Sequence, residues 1–153
     1  HIDKTTGKNC YMIGAMKLKP VKGKLALHAD SRFSMVAVLN NSWDLNFRGQ
    51  IETQMLSSKT RYAAYLVYRF GKYYKHLPPA KGIIKFVNLD EDRDAGRRAT
   101  TIQFRPVSRP DGWMEVQLGM FYNDVGSDGP VEARLLGPTV HLLNSLFIEG
   151  IEF

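Results

Sequence analysis

The sequence predicts an all-β fold: an antiparallel β-sandwich of jelly-roll type, with short helical turns at most. Three observations predict it. Apolar residues recur at every second position over short segments, the period of a half-buried strand. Gly, Pro and Asp-Gly signals separate those segments at the spacing of a sandwich or jelly roll. No stretch keeps a 3.6-residue period for more than about two turns.

Taken in order, residues 11–18 read as the first strand. Residues 19–31 form a basic loop with weak strand character. Residues 32–39 carry Phe33, Val36, Val38 and Leu39 and fit either a strand or one helical turn. Leu45, Phe47, Gly49 and Ile51 mark the next strand, with Asn46 and Arg48 on the opposite phase. Residues 61–70 give the clearest strand. Tyr62, Ala64, Leu66, Tyr68 and Phe70 share one face, and Ala63, Tyr65 and Val67 the other. Two apolar faces place it centrally in a two-layer core. Pro78-Pro79 then ends regular structure.

Residues 83–89 resume a strand, 90–99 read as a charged loop, and 100–107 bring Ile102, Phe104 and Pro106 into phase. Asp111-Gly112 signals a turn, after which Met114, Val116 and Leu118 alternate with Glu115 and Gln117. Asp128-Gly129 signals another turn, and Val131, Ala133 and Leu135 alternate with Glu132 and Arg134. Gly137-Pro138 marks a further turn before a final strand over 147–153. The reading gives eight to ten short strands, with no internal repeat and no linker.

The length of 153 residues fits one domain spanning 1–153. Such a chain buries roughly 70% of its unfolded surface, enough for a core without staples. Hydrophobic residues at 44% and charged residues at 24% are ordinary for a water-soluble chain. No apolar run reaches the roughly 20 residues of a membrane span, so no membrane partner is expected. No apolar segment of a signal peptide opens the sequence. The single Cys10 forbids an internal disulfide and fits a reducing compartment. It reads as a buried, inert thiol or as a point of intermolecular cross-linking. The net charge of +6 favours anionic partners, nucleic acid or cell-wall acids among them, although no block of five like charges occurs.

Enzyme signatures are absent: no GxSxG, P-loop, HExxH or CxxC. His1, His28, His76 and His141 lie in four separate segments without a second ligand at metal spacing. Asp90, Glu91, Asp92 and Asp94 lack the glycine and terminal glutamate of an EF-hand and read as a solvated acidic loop. No catalysis, metal or cofactor is expected. Trp43 and Trp113 offer indole faces to sugar rings or, equally in character, bulk to the core. Lys72, Tyr73, Tyr74, Lys75 and His76 interleave base with aromatic, as a single-stranded nucleic-acid platform does, or form a polar hairpin tip.

Several blocks resemble the phloem protein 2 lectins, the nictaba-like lectins included. They are Asn9-Cys10-Tyr11-Met12-Ile13-Gly14-Ala15, Ser31-Arg32-Phe33-Ser34 and Leu45-Asn46-Phe47-Arg48-Gly49-Gln50-Ile51-Glu52-Thr53. Tyr62-Ala63-Ala64-Tyr65-Leu66-Val67, Asp111-Gly112-Trp113-Met114-Glu115-Val116 and Ile148-Glu149-Gly150-Ile151-Glu152-Phe153 follow in the same order. The resemblance implies a dimeric jelly roll that binds N-acetylglucosamine oligomers, chitin fragments and the N-glycan core. It implies phloem sap or cytoplasm and a role in defence or wound sealing. The chain departs from the family in the loop after the first strand, which holds no Trp. Family acidic positions fall on Pro130 and near Leu136 or Gly137.

The expected sugar site lies where the 19–31 loop meets the 122–130 and 137–144 segments. Its candidates are His28, Asp30, Ser31 and Arg32, then Tyr122, Asn123 and Asp124, then His141 and Asn144. Asp, Asn, Arg and backbone groups supply the planar hydrogen bonds that sugar hydroxyls need, and two sites on a homodimer raise avidity. The alternatives are an RNA-binding phloem transport protein and a structural phloem protein cross-linked through Cys10.

Overall fold

The computed structural model describes residues 1–19, 24–26, 31–33, 35–70, 77–104 and 109–153, and of 24–26, 40–43 and 139–145 the backbone. Eight strands lie among them: β1 Met12–Gly14, β2 Lys24–Ala26, β3 Val36–Glu52, β4 Thr60–Phe70, β5 Ala80–Phe86, β6 Thr100–Ile102, β7 Met114–Asn123 and β8 Pro130–Glu152. All pair antiparallel. One short helix, α1 (Asp92–Arg97), and two 3₁₀ turns, Ala15–Lys17 and Thr53–Met55, complete the described elements.

The β3–β8 ribbon is the spine, running from Ala37 opposite Ile148 to Glu52 opposite Pro130. The first half of β8 also pairs β5, and β5 pairs β6, which makes layer one. The last third of β8 pairs β4, and β4 pairs β7; with β2 beside β3 and β1 beside the end of β8, this is layer two. The sandwich expected from the sequence is thus present, but its two longest strands pass through both layers. Val36 and Ile51 belong to one 17-residue strand, and the turn expected at Gly137-Pro138 lies inside the 23-residue β8.

The physical reason is bulging. Asp44 pairs Thr139 while Asn46 pairs Leu136, so β8 carries an extra residue across Gly137 and Pro138. Pro138 has no N–H to donate, and a bulge leaves one residue unpaired, so the ribbon bends there without ending. The same device acts in β7. Ala64 faces Gly119 and Tyr65 faces Gln117, which leaves Leu118 as the extra residue. The buried phase moves accordingly, to Leu118, Phe121 and Asn123.

The charged segment 90–99 holds α1 rather than a loop. Asp92 and Asp94 lie in its first turn and Arg97 in its last, the polarity the helix dipole favours. Ala95 is its buried contact.

Between the layers lie Leu45, Phe47 and Ile51 of β3, Tyr62 to Phe70 of β4, Val131, Ala133 and Leu135 of β8, and Phe104, Phe121 and Phe153. Tyr68 meets Phe70 and Phe104 edge-on at 5.9 Å, and Tyr62 stacks on Phe121 at 5.7 Å. Gly82 brings β5 against β7, since a Cβ there would sit 2.1 Å from the Leu118 carbonyl oxygen. A second apolar cluster forms around Val36, Val67 and Trp113, with Met12, Val38 and Phe147 packed on it. Trp113 is fully buried, so it serves packing and not a sugar platform. Its entry is set by Asp111, whose Oδ1 accepts from the Trp113 N–H at 3.1 Å, and by Gly112 at φ +85°.

Candidate functional site

The structure scatters the residues expected to bind sugar. His28 and Asp30 lie outside the described residues, as do Lys72 to His76. The backbone places His141 opposite Ser42, and Asn144 in the irregular stretch between Leu142 and Leu146. Residues 137–144 are therefore ladder strand and not a loop, a correction that follows from the bulges. Ser31 and Arg32 bind Glu149, while Asn123 faces Thr60 at the far end of β4. With Glu149 beside Val67 and Tyr68, the two groups stand roughly 25 Å apart at the rise of a strand. Asn123 is fully buried, and its amide donates to the carbonyls of Thr53, Leu56 and Ser57. It locks the 3₁₀ turn and is closed to a ligand. Asp124 pairs with Lys59 at 2.7 Å, and Tyr122 stands 48% exposed beside it on the strand.

Glu149 explains where Ser31 and Arg32 go. It is the bulged residue of β8, between Gly150 opposite Val67 and Ile148 opposite Tyr68. The bulge re-aims its side chain. Buried completely, the carboxylate accepts from Ser31 Oγ at 3.0 Å and from Arg32 Nε and Nη2 at 3.2 and 3.0 Å. The chain of charge continues. Arg109 Nη1 reaches Glu152 at 2.7 Å and Glu115 at 3.5 Å, and Arg109 Nη2 reaches Asp111 at 3.4 Å. Burial opposes the Arg109 charge, but the bond to Glu152 and the neighbouring carboxylates outweigh it and raise its pKa. Burial, then Glu115 and Glu152, raise that of Tyr65 on the same face. On the outer face of layer two, Arg32, Arg109, Asp111, Glu115, Glu149 and Glu152 are matched within the protein.

Layer one differs. Where its β3 edge meets β1 of layer two lies an open cleft of about 580 Å³ lined by Tyr11, Met12, Ile13, Lys17, Lys19, Arg48, Gln50, Ile51, Glu52 and Met55. Tyr11 is anchored by mutual backbone hydrogen bonds with Phe153, at 3.1 and 2.7 Å. Lys19 and Arg48 exchange backbone bonds, both at 2.8 Å, so their side chains start opposite each other. Leu18 and Gly49 turn inward, so Lys19, Arg48 and Gln50 point out on alternate positions. Gln50 Nε2 donates to Glu132 at 2.8 Å. The cleft thus combines an aromatic and aliphatic floor with amide, carboxylate and cationic groups, the mixture a polar ligand with apolar patches needs. None of the described residues expected from the sequence lines it. A signal did exist: Arg48, Gln50 and Glu52 alternate with Phe47, Gly49 and Ile51.

Among the described residues, no group of three or more His, Cys, Asp or Glu is placed to hold a metal ion. No helix is long and apolar enough to cross a membrane. Burial, then Asp3 and Glu152, raise the Cys10 thiol, which keeps it protonated and slow in disulfide exchange.

The Phloem protein 2 family profile matches residues 8–153. The chain is similar to two proteins of Arabidopsis thaliana, F-box protein PP2-B10 and F-box protein PP2-B5. Each is 32% identical over 99% of this chain, which covers 62% and 56% of their respective lengths. The chain therefore spans about three fifths of these relatives. Among solved structures it is similar to CBM35, a carbohydrate-binding module, from Cellvibrio japonicus Abf62. The TM-score is 0.54 at 11% identity, over 94% of this chain and 91% of that one, a likeness of fold.

Proposed function

The chain belongs to the phloem protein 2 family, and from that premise we propose that it is a non-catalytic lectin for N-acetylglucosamine oligomers. The observation that carries the reading is the cleft at the edge of layer one, where Tyr11 lies beside Gln50 and Glu52. Tyr11 offers a ring to a sugar face. Gln50 and Glu52 offer planar hydrogen-bonding groups to hydroxyls, and Ile13 and Met55 offer an apolar seat to an N-acetyl methyl. Each net hydrogen bond adds about 0.5–1.5 kcal/mol, so one open cleft binds weakly. A dimer with two clefts raises avidity for chitin and for glycan-coated surfaces. A phloem setting and a defence role accord with the family.

Titration calorimetry with the GlcNAc trimer tests this. Wild type releases heat on binding, and Tyr11→Ala and Gln50→Ala lose it while Tyr122→Ala and Asp124→Ala keep it. The opposite pattern moves the site to the 122–130 segment expected from the sequence. Absence of heat with every variant and with wild type ends the lectin reading.

A further inference from the structure

The cleft belongs to a wider row of charge that neutral sugars leave unused. In the ladder, Arg48 faces Lys19 on one side and Arg134 on the other. Directly opposed residues have Cβ atoms about 4.5–5.5 Å apart, and like charges so placed repel. Among the described residues, no carboxylate lies within ion-pair distance of Lys17, Lys19 or Arg48, and all three are exposed. The nearby acids are already engaged. Glu132 is divided between Gln50 and Arg134, each at 2.8 Å, and the buried Arg134 Nε still has no acceptor. Asp92 is taken by Lys85. Its carboxyl is held low by Lys85 first, then by Arg134 and Arg48, which shows how far the row's positive field extends. Among the described residues, Glu52 alone remains on the cleft rim to oppose three cations.

From this geometry we infer that the cleft takes an acidic oligosaccharide, a uronate-bearing chain whose carboxylate sits between Lys19 and Arg48. The inference rests on the lectin reading and deepens it. A guanidinium grips a carboxylate through two parallel N–H bonds, and Lys19 adds a point charge from the opposite strand. The anion relieves the repulsion that the fold otherwise tolerates. A glycan fits better than a nucleic acid because the described residues of the cleft offer one ring, Tyr11, where a single strand needs successive stacking platforms.

The test is titration of the whole chain with trigalacturonate, its fully methyl-esterified form, the GlcNAc trimer and a poly-uridine oligonucleotide. The acid should bind about tenfold more tightly than its ester, the scale of one charge-assisted hydrogen bond. That ratio should fall toward one in Lys19→Gln and in Arg48→Gln, and also at high salt. Circular dichroism confirms that the variants are folded. Equal binding of acid and ester overturns the inference while leaving the lectin reading intact. Binding of the GlcNAc trimer without either galacturonate does the same. Silence with all three saccharides ends both readings. Oligonucleotide binding that the same two variants abolish, in the absence of saccharide binding, assigns the row to nucleic acid and also overturns the inference.

Discussion

The two outward faces of this sandwich use charge in opposite ways. On layer two, Arg32, Arg109, Glu149, Glu152, Glu115 and Asp111 close on one another over the Trp113 cluster. On layer one, Lys19, Arg48 and Arg134 line up across three neighbouring segments, and of the three Arg134 alone holds a carboxylate, Glu132, among the described residues. The first arrangement holds loops to the sheet, and the second leaves attraction over for something else. Pairing, and not the density of charge, distinguishes a clamp from a binding surface.

Five substitutions test that contrast. The largest effect belongs to the clamp. Arg32→Ala leaves the fully buried Glu149 without its cation; the loss approaches the ~3–5 kcal/mol of a fully buried pair, reduced because the Arg32 end is part-exposed and Ser31 still donates. Urea unfolding should show that loss, and Glu149→Gln should lose less because Arg32, 39% exposed, returns to water. Equal losses would show that burial of Glu149 is not the source of the penalty. Next comes Gly82→Ala, whose Cβ would collide with the Leu118 carbonyl. Overpacking of that kind costs about 1–3 kcal/mol and should lower the melting temperature without touching either charged face.

The open face should respond in the other direction. Lys19→Glu puts unlike charges opposite each other, and such cross-strand pairs contribute about 0.2–1 kcal/mol. The variant should melt slightly higher and lose the acidic ligand. A lower melting temperature would mean that the row is not repulsive. The smallest effect is at the paired edge of layer one. Asp92 has a lowered pKa, chiefly from Lys85, so its contribution is full above the unfolded carboxyl value and fades as pH falls through the folded one. Asp92→Asn should lower the neutral plateau of a melting profile slightly, flatten its acid limb, and converge with wild type below about pH 4.

Much of this contrast was legible in the sequence, but unevenly. Alternation alone placed Tyr62, Leu66 and Phe70 in the core and β4 at the centre of its layer. Asp111-Gly112 and Asp128-Gly129 marked real turns, with positive φ at Gly112 and Gly129. Gly137-Pro138 misled because the same residues serve a bulge or a turn, and only pairing with β3 decides between them. The candidate site was harder still. Ser31 and Arg32 were singled out as sugar contacts, and Glu149 claims them from 117 or more residues away. Asn123 looked like a hairpin tip until its amide was seen to be spent on three carbonyls. Lys19 and Arg48 are 29 positions apart and become neighbours only through a single bridge. Local pattern reports strands, whereas which charges meet is a property of register.

The reach of β8 sets the order in which this molecule can assemble. It pairs with β1, β3, β4 and β5, and it follows all of them in the chain. A ribosome therefore releases four strands that still lack a neighbour they require. Contacts so distant along the chain make for folding in milliseconds to seconds, with apolar edges of β4 exposed to other nascent chains meanwhile. Slow closure by a late strand is the kinetic counterpart of a spine that serves two sheets.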